Sequence, residues 1–79
     1  MKREKIIERL NKVFRDVFDD ESITITDSTA AKDIDAWNSL IHITLISEIE
    51  DEFNVEFEME DVTEMKNVGE ITDRIMELI

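Results

Sequence analysis

The chain has no cysteine and no proline, and Gly69 is its only glycine. Without thiols there is neither a disulfide staple nor a thiolate metal site, and a reducing, cytoplasmic setting fits. One glycine rules out a glycine-rich phosphate loop and the Gly-x-Ser-x-Gly surroundings of an esterase-type nucleophile. No run of about 18 apolar residues and no basic segment leading into an apolar core occurs, so neither a membrane span nor a signal peptide is expected. Bases are also scarce: nine Lys and Arg against 21 Asp and Glu leave a formal charge of −12. Such a surface repels nucleic-acid phosphates and anionic membranes. Partners are expected to present basic patches, and self-repulsion on so small a domain favours a monomer whose folding responds to salt.

What is present is enough apolar residue, 42%, to build one core near the lower size limit for a domain. The 79 residues are read as a single domain, 1–79. Ile6, Leu10, Val13, Phe14, Val17 and Phe18 recur at helical steps and predict a helix over about residues 2–18. It should end at Asp19-Asp20-Glu21, where acids oppose a helix C-terminus. Residues 20–38 have no helical period; Ile23-Thr24-Ile25 alternates like a strand, but one such fragment makes no sheet. A connection this long needs a function or anchors, and Ile23, Ile25, Ile34 and Trp37 are the candidate anchors.

A second helix is expected over about 39–53. At about 100° per residue, Leu45, Ile46, Ile49 and Phe53 share one face. Leu40, Thr44, Ser47 and Asp51 take the opposite face, with Glu48 and Glu50 at its borders. A short helical piece near Glu60–Glu64 should turn Val62 and Met65 inward. Asn67 then stands as the N-cap of a last helix, with Glu70 three residues on. Val68, Ile71, Ile75 and Leu78 form its apolar face. The fold class is all-α: a small bundle of three longer helices plus one short helix, with a long loop between the first two.

Little chemistry is on offer. His42 is the only histidine, three residues after Ser39 and near the apolar stripe of the second helix. A core-edge position explains it better than serine–histidine catalysis. Asp33 and Asp35 resemble the start of a calcium loop, but Trp37, Asn38 and Thr44 occupy the fifth, sixth and twelfth positions. That removes the turn and the bidentate ligand, so no specific metal site is expected. What remains is Ser39, a hydroxyl where an unpatterned segment meets an amphipathic helix. Asn38 or Ser39 itself is a suitable N-cap, which alone accounts for the pair. The amides of a helix start equally favour a phosphate attached there.

Trp37-Asn38-Ser39-Leu40, the apolar pattern behind it and Glu48-Ile49-Glu50-Asp51-Glu52-Phe53 resemble the acyl carrier protein family. There an Asp-Ser-Leu motif opens the second helix, and a run of acids with a phenylalanine closes it. Asn54-Val55-Glu56-Phe57 is similar to the family's link into its short third helix, so the resemblance covers essentially the whole chain. It implies that Ser39 carries 4′-phosphopantetheine through a phosphodiester, added from coenzyme A by a phosphopantetheinyl transferase. The terminal thiol would then hold an acyl or aminoacyl group as a thioester, in fatty acid, polyketide or polysaccharide biosynthesis. The prosthetic group supplies the sulfur that the chain lacks.

Carried over by position, Leu40, Thr44, Ser47, Glu50 and Asp51 would form the docking face. Its partners would be loading ligases, acyltransferases or synthases with basic patches. The chain itself would not be an enzyme. Three positions depart from the family pattern. Asn38 stands for the usual Asp, Ile41 for an acid two residues after the serine, and Thr44 for a common glutamate. Those departures motivate an alternative, an unmodified helical interaction module that keeps the carrier fold. Ser28, in the chain's one Asp-Ser pair (Asp27-Ser28), lacks both the leucine and the helix. Trp37 is similar to a form found in stand-alone carriers of polysaccharide or secondary-metabolite pathways, although an aromatic loop anchor is the better explanation of the ring itself.

Overall fold

A computed structural model describes residues 1–79. Four α-helices follow one another: α1 (Arg3–Phe18), α2 (Ser39–Phe53), α3 (Met59–Glu64) and α4 (Val68–Leu78), with a 3-10 turn at Ala31–Asp33 inside the long α1–α2 connection. The all-α expectation and the order of three longer helices and one short one hold. No helix is long and apolar enough to cross a membrane.

α1 packs against both α2 and α4. Ile6, Leu10 and Phe14 of α1, Leu45 and Ile49 of α2, and Val68, Ile71 and Ile75 of α4 are completely withdrawn from water. Burial of such a side chain stabilises by roughly 1.5–3 kcal/mol, and this shared seam holds the three longer helices together. Thr72 is buried among them, and its hydroxyl donates to the Val68 carbonyl at 2.8 Å, so no polar atom is left without a partner there. Leu78 departs from expectation: it follows the apolar period of α4 but is 37% exposed. It lies at the last position of the helix, where no further turn covers it.

The acids after α1 do end it. Asp19 takes a left-handed conformation (φ 51°) as the C-cap, a conformation that Asp tolerates better than most residues. The long connection is then stitched down at several points. Ile25 is buried and its N–H donates to Asn11 Oδ1 at 2.7 Å; Arg15 Nε donates to the Ile23 carbonyl at 2.6 Å. Further on, Ala30 pairs with Asn67 in an isolated antiparallel bridge, and Val68 and Gly69 donate their N–H groups to the Thr29 and Asp27 carbonyls. The strand-like Ile23-Thr24-Ile25 joins no sheet. Trp37, the last anchor, is buried and meets Phe14 edge-on, with centroids 5.3 Å apart and planes at 81°.

α3 has no fully buried residue of its own. Its half-buried Val62 and the buried Met65 just beyond it face the core, as expected. Arg74 of α4 holds α3 from one side through Asp61 (2.9 Å). His42 of α2 holds it from the other.

Candidate functional site

Ser39 is exposed and begins α2. The cap is supplied by its neighbour: Asn38 Oδ1 accepts from the Leu40 and Ile41 N–H groups at 3.0 and 3.1 Å, and the Asn38 carbonyl accepts from His42 N–H at 2.9 Å. Either residue was a suitable cap type by sequence, and the structure assigns the work to Asn38. The Ser39 hydroxyl is thereby left out of the cap. The first turn of α2 carries no acidic side chain, so the positive end of the helix dipole there is not already neutralised.

His42 does not serve Ser39 as a base. The Trp37 indole N–H, which can only donate, gives its hydrogen to His42 Nδ1 at 2.9 Å. The proton of the neutral imidazole is therefore on Nε2, 2.7 Å from the Val62 carbonyl oxygen to which it donates. The two ring planes are nearly parallel, 23° apart, with centroids 6.0 Å from each other. Both nitrogens are thus engaged, and the core-edge reading of His42 holds.

Of the outer face of α2, Leu40, Thr44, Ser47 and Asp51 are exposed. Leu40 is 81% exposed, and Ile43 beside it is 65% exposed. Ile43 is not among the outer-face residues expected from the sequence, although at 100° per residue it lies only about 60° around the helix from Leu40. Glu50 is half-buried, and its Oε2 accepts from the Phe57 N–H at 2.8 Å. Glu52 pairs with Arg9 of α1 (2.8 Å), whose guanidinium also lies 4.6 Å from the Phe53 ring centre. Glu48 and Asp51 remain fully on the outside. No lysine or arginine occurs between Asp33 and Met65, so the whole α2–α3 half of the molecule is acidic. No group of three or more His, Asp or Glu side chains is arranged to hold a metal ion.

A family model described as "Phosphopantetheine attachment site" matches residues 5–75. The chain belongs to the acyl carrier protein family. The solved structures include a similar one, the holo acyl carrier protein from Geobacter metallireducens, determined by solution NMR. It superposes with a TM-score of 0.84 at 40% identity, over 91% of this chain and 83% of that one. No match is found among curated proteins. The prosthetic group of this carrier is covalently attached 4′-phosphopantetheine. The residues of this chain fit it: an exposed hydroxyl outside the cap, at a helix start without acids, can bear a phosphodiester without like-charge repulsion from its own turn.

Proposed function

We propose that this carrier holds an acyl or aminoacyl intermediate as a thioester on 4′-phosphopantetheine attached at Ser39. It presents that intermediate to successive partner enzymes and performs no catalysis itself. The arm converts each encounter into a near-intramolecular one and so raises effective concentration at every active site. The observation that carries the reading is the division between neighbours: Asn38 caps α2, and Ser39 stands exposed beside it.

Docking falls to the outer face of α2. Leu40 and Ile43 offer apolar contact within about one turn of the arm, with Thr44 and Ser47 beside them and Asp51 as the free acid. Glu50 contributes its charge to the same field while its Oε2 remains committed to Phe57. A phosphopantetheinyl transferase, a loading ligase and acyltransferases or synthases with basic patches match this surface. Long-range attraction gives fast, salt-sensitive association, which suits a monomeric carrier exchanging partners in the cytoplasm.

Co-expression with a broad-specificity phosphopantetheinyl transferase, followed by intact mass, tests the attachment. The expected result is a gain of one phosphopantetheine, lost in Ser39→Ala. No gain, or a gain that persists in Ser39→Ala, would overturn attachment at this residue and leave the unmodified interaction module.

A further inference from the structure

Ser39 is flanked by a chain of two hydrogen bonds. Two residues before it, Trp37 donates its indole N–H to His42; three residues after it, His42 donates onward to the Val62 carbonyl of α3. The seam between α2 and α3 nearest Ser39 is therefore spanned by the His42 ring. From the far side Asp61 of α3 is held by Arg74. Beneath the seam, Leu45 and Ile49 are completely buried, and Trp37 is wedged against Phe14 and Phe18. A surface groove of about 710 Å³ lies at the opposite end of α2 and is lined by Glu50, Asp51, Asn54, Val55, Glu56 and Leu78. Its charged walls give an alkyl chain no shelter.

We propose that the Trp37–His42–Val62 chain is a latch on the α2–α3 seam that keeps the cargo outside the bundle. The cargo class is accordingly short or polar, an acetyl-sized or aminoacyl group. A long alkyl chain left in water is penalised in proportion to its apolar area, and this bundle offers it refuge only by parting α3 from His42. Opening would leave the Trp37 N–H and the Val62 carbonyl without the partners they now share. The inference rests on attachment at Ser39, and its test separates the two.

The arm is loaded with acetyl, alanyl or decanoyl groups, and intact mass confirms each species. Amide spectra of Leu45, Ile49 and Val62 and the thermal midpoint should be the same for all three cargoes in the wild type. A decanoyl-dependent shift of these amides, or a raised midpoint, overturns the latch. In His42→Ala the decanoyl chain should gain access, moving the same amides and raising the midpoint while acetyl does neither. If decanoyl has no effect there either, His42 is not what closes the seam. Should that variant not fold, Trp37→Phe, which removes the indole N–H and keeps an aromatic ring against Phe14, takes its place. The unloaded protein supplies a readout independent of Ser39: nitrogen shifts of His42 must report a protonated Nε2 and a bare Nδ1, and the reverse tautomer overturns the proposal. A carrier that gains no mass refutes attachment at Ser39, whatever the tautomer shows.

Discussion

Glu50 and Phe57 are joined across the turn that follows α2, the Glu50 carboxylate accepting the Phe57 N–H at 2.8 Å. This contact closes the chain between α2 and α3, where Asn54 already takes a left-handed conformation (φ 55°). Glu50→Ala should lower stability by roughly 1–2 kcal/mol, because a charge-assisted bond to a half-buried amide is lost. Urea unfolding measures it, and an unchanged midpoint would show that water replaces the carboxylate without cost.

Asp51, one residue on, is exposed and should act through its field. Asp51→Lys is expected to leave the unfolding midpoint within about 0.5 kcal/mol of wild type. It should slow association with a basic partner such as the transferase, and the difference should shrink as salt rises. Stopped-flow association at low and high salt checks this; an effect confined to dissociation at all salt concentrations contradicts it.

The two residues at the start of α2 should separate cleanly. Asn38→Ala removes the cap and is expected to cost about 1 kcal/mol, whereas Asn38→Asp, also a good cap, should be nearly silent. Ser39→Ala should stay within about 0.5 kcal/mol of wild type, since its hydroxyl does not cap the helix. A stability loss in Ser39→Ala equal to that in Asn38→Ala would contradict this assignment.

Gly69 is needed for the close approach of the long connection to α4. A Cβ there would meet the Asp27 carbonyl oxygen at 2.9 Å, the same oxygen that accepts the Gly69 N–H. Overpacking of this kind costs about 1–3 kcal/mol, against a helix-propensity gain of up to about 1 kcal/mol for alanine. Gly69→Ala should therefore be destabilised, and calorimetry showing an equal or higher midpoint counts against the close-approach account.

Asp20 gives a pH-dependent contribution. The Ser22 hydroxyl, and after it the Ser22 N–H, bonds the Asp20 carboxylate and lowers its pKa. A carboxyl lowered in the folded state stabilises above its unfolded pKa, and that contribution disappears as pH falls through the folded value. Ser22→Ala should raise the Asp20 pKa toward the ordinary carboxylate range. It should be less stable than wild type at neutral pH and equal to it once Asp20 is protonated. Carboxyl NMR titration with unfolding at both pH values reads this, and a difference that persists in acid would need another origin.

The helices were legible because their residues repeat at a fixed local period. Amphipathic spacing and capping act over one or two turns, and they suffice to locate α2 at 39–53 and α4 behind its Asn67 cap. Ser39 stood out for the same local reason, a hydroxyl between an unpatterned segment and a helix. The long connection was readable only as a set of anchors. Others of its fastenings, Thr29 to Val68 and Ala31 to Lys66, join backbone groups that carry no side-chain signature. Leu78 misled because periodicity says which way a residue points and not whether anything lies there to cover it.

By itself the sequence determined the all-α class, the acidic stretch without lysine or arginine from Asp33 to Met65, and the serine at the head of α2. Periodicity, charge and motif order are properties of neighbours along the chain. Only the tertiary structure decided that Asn38 rather than Ser39 caps the helix, that Glu50 is committed to Phe57, and that His42 bridges Trp37 to Val62. The Asn38 cap is local, two and three residues on, and was settled by which side chain turns toward the free amides; the Glu50–Phe57 and His42–Val62 bonds exist because the chain returns after α2, and burial leaves few such partners to choose from.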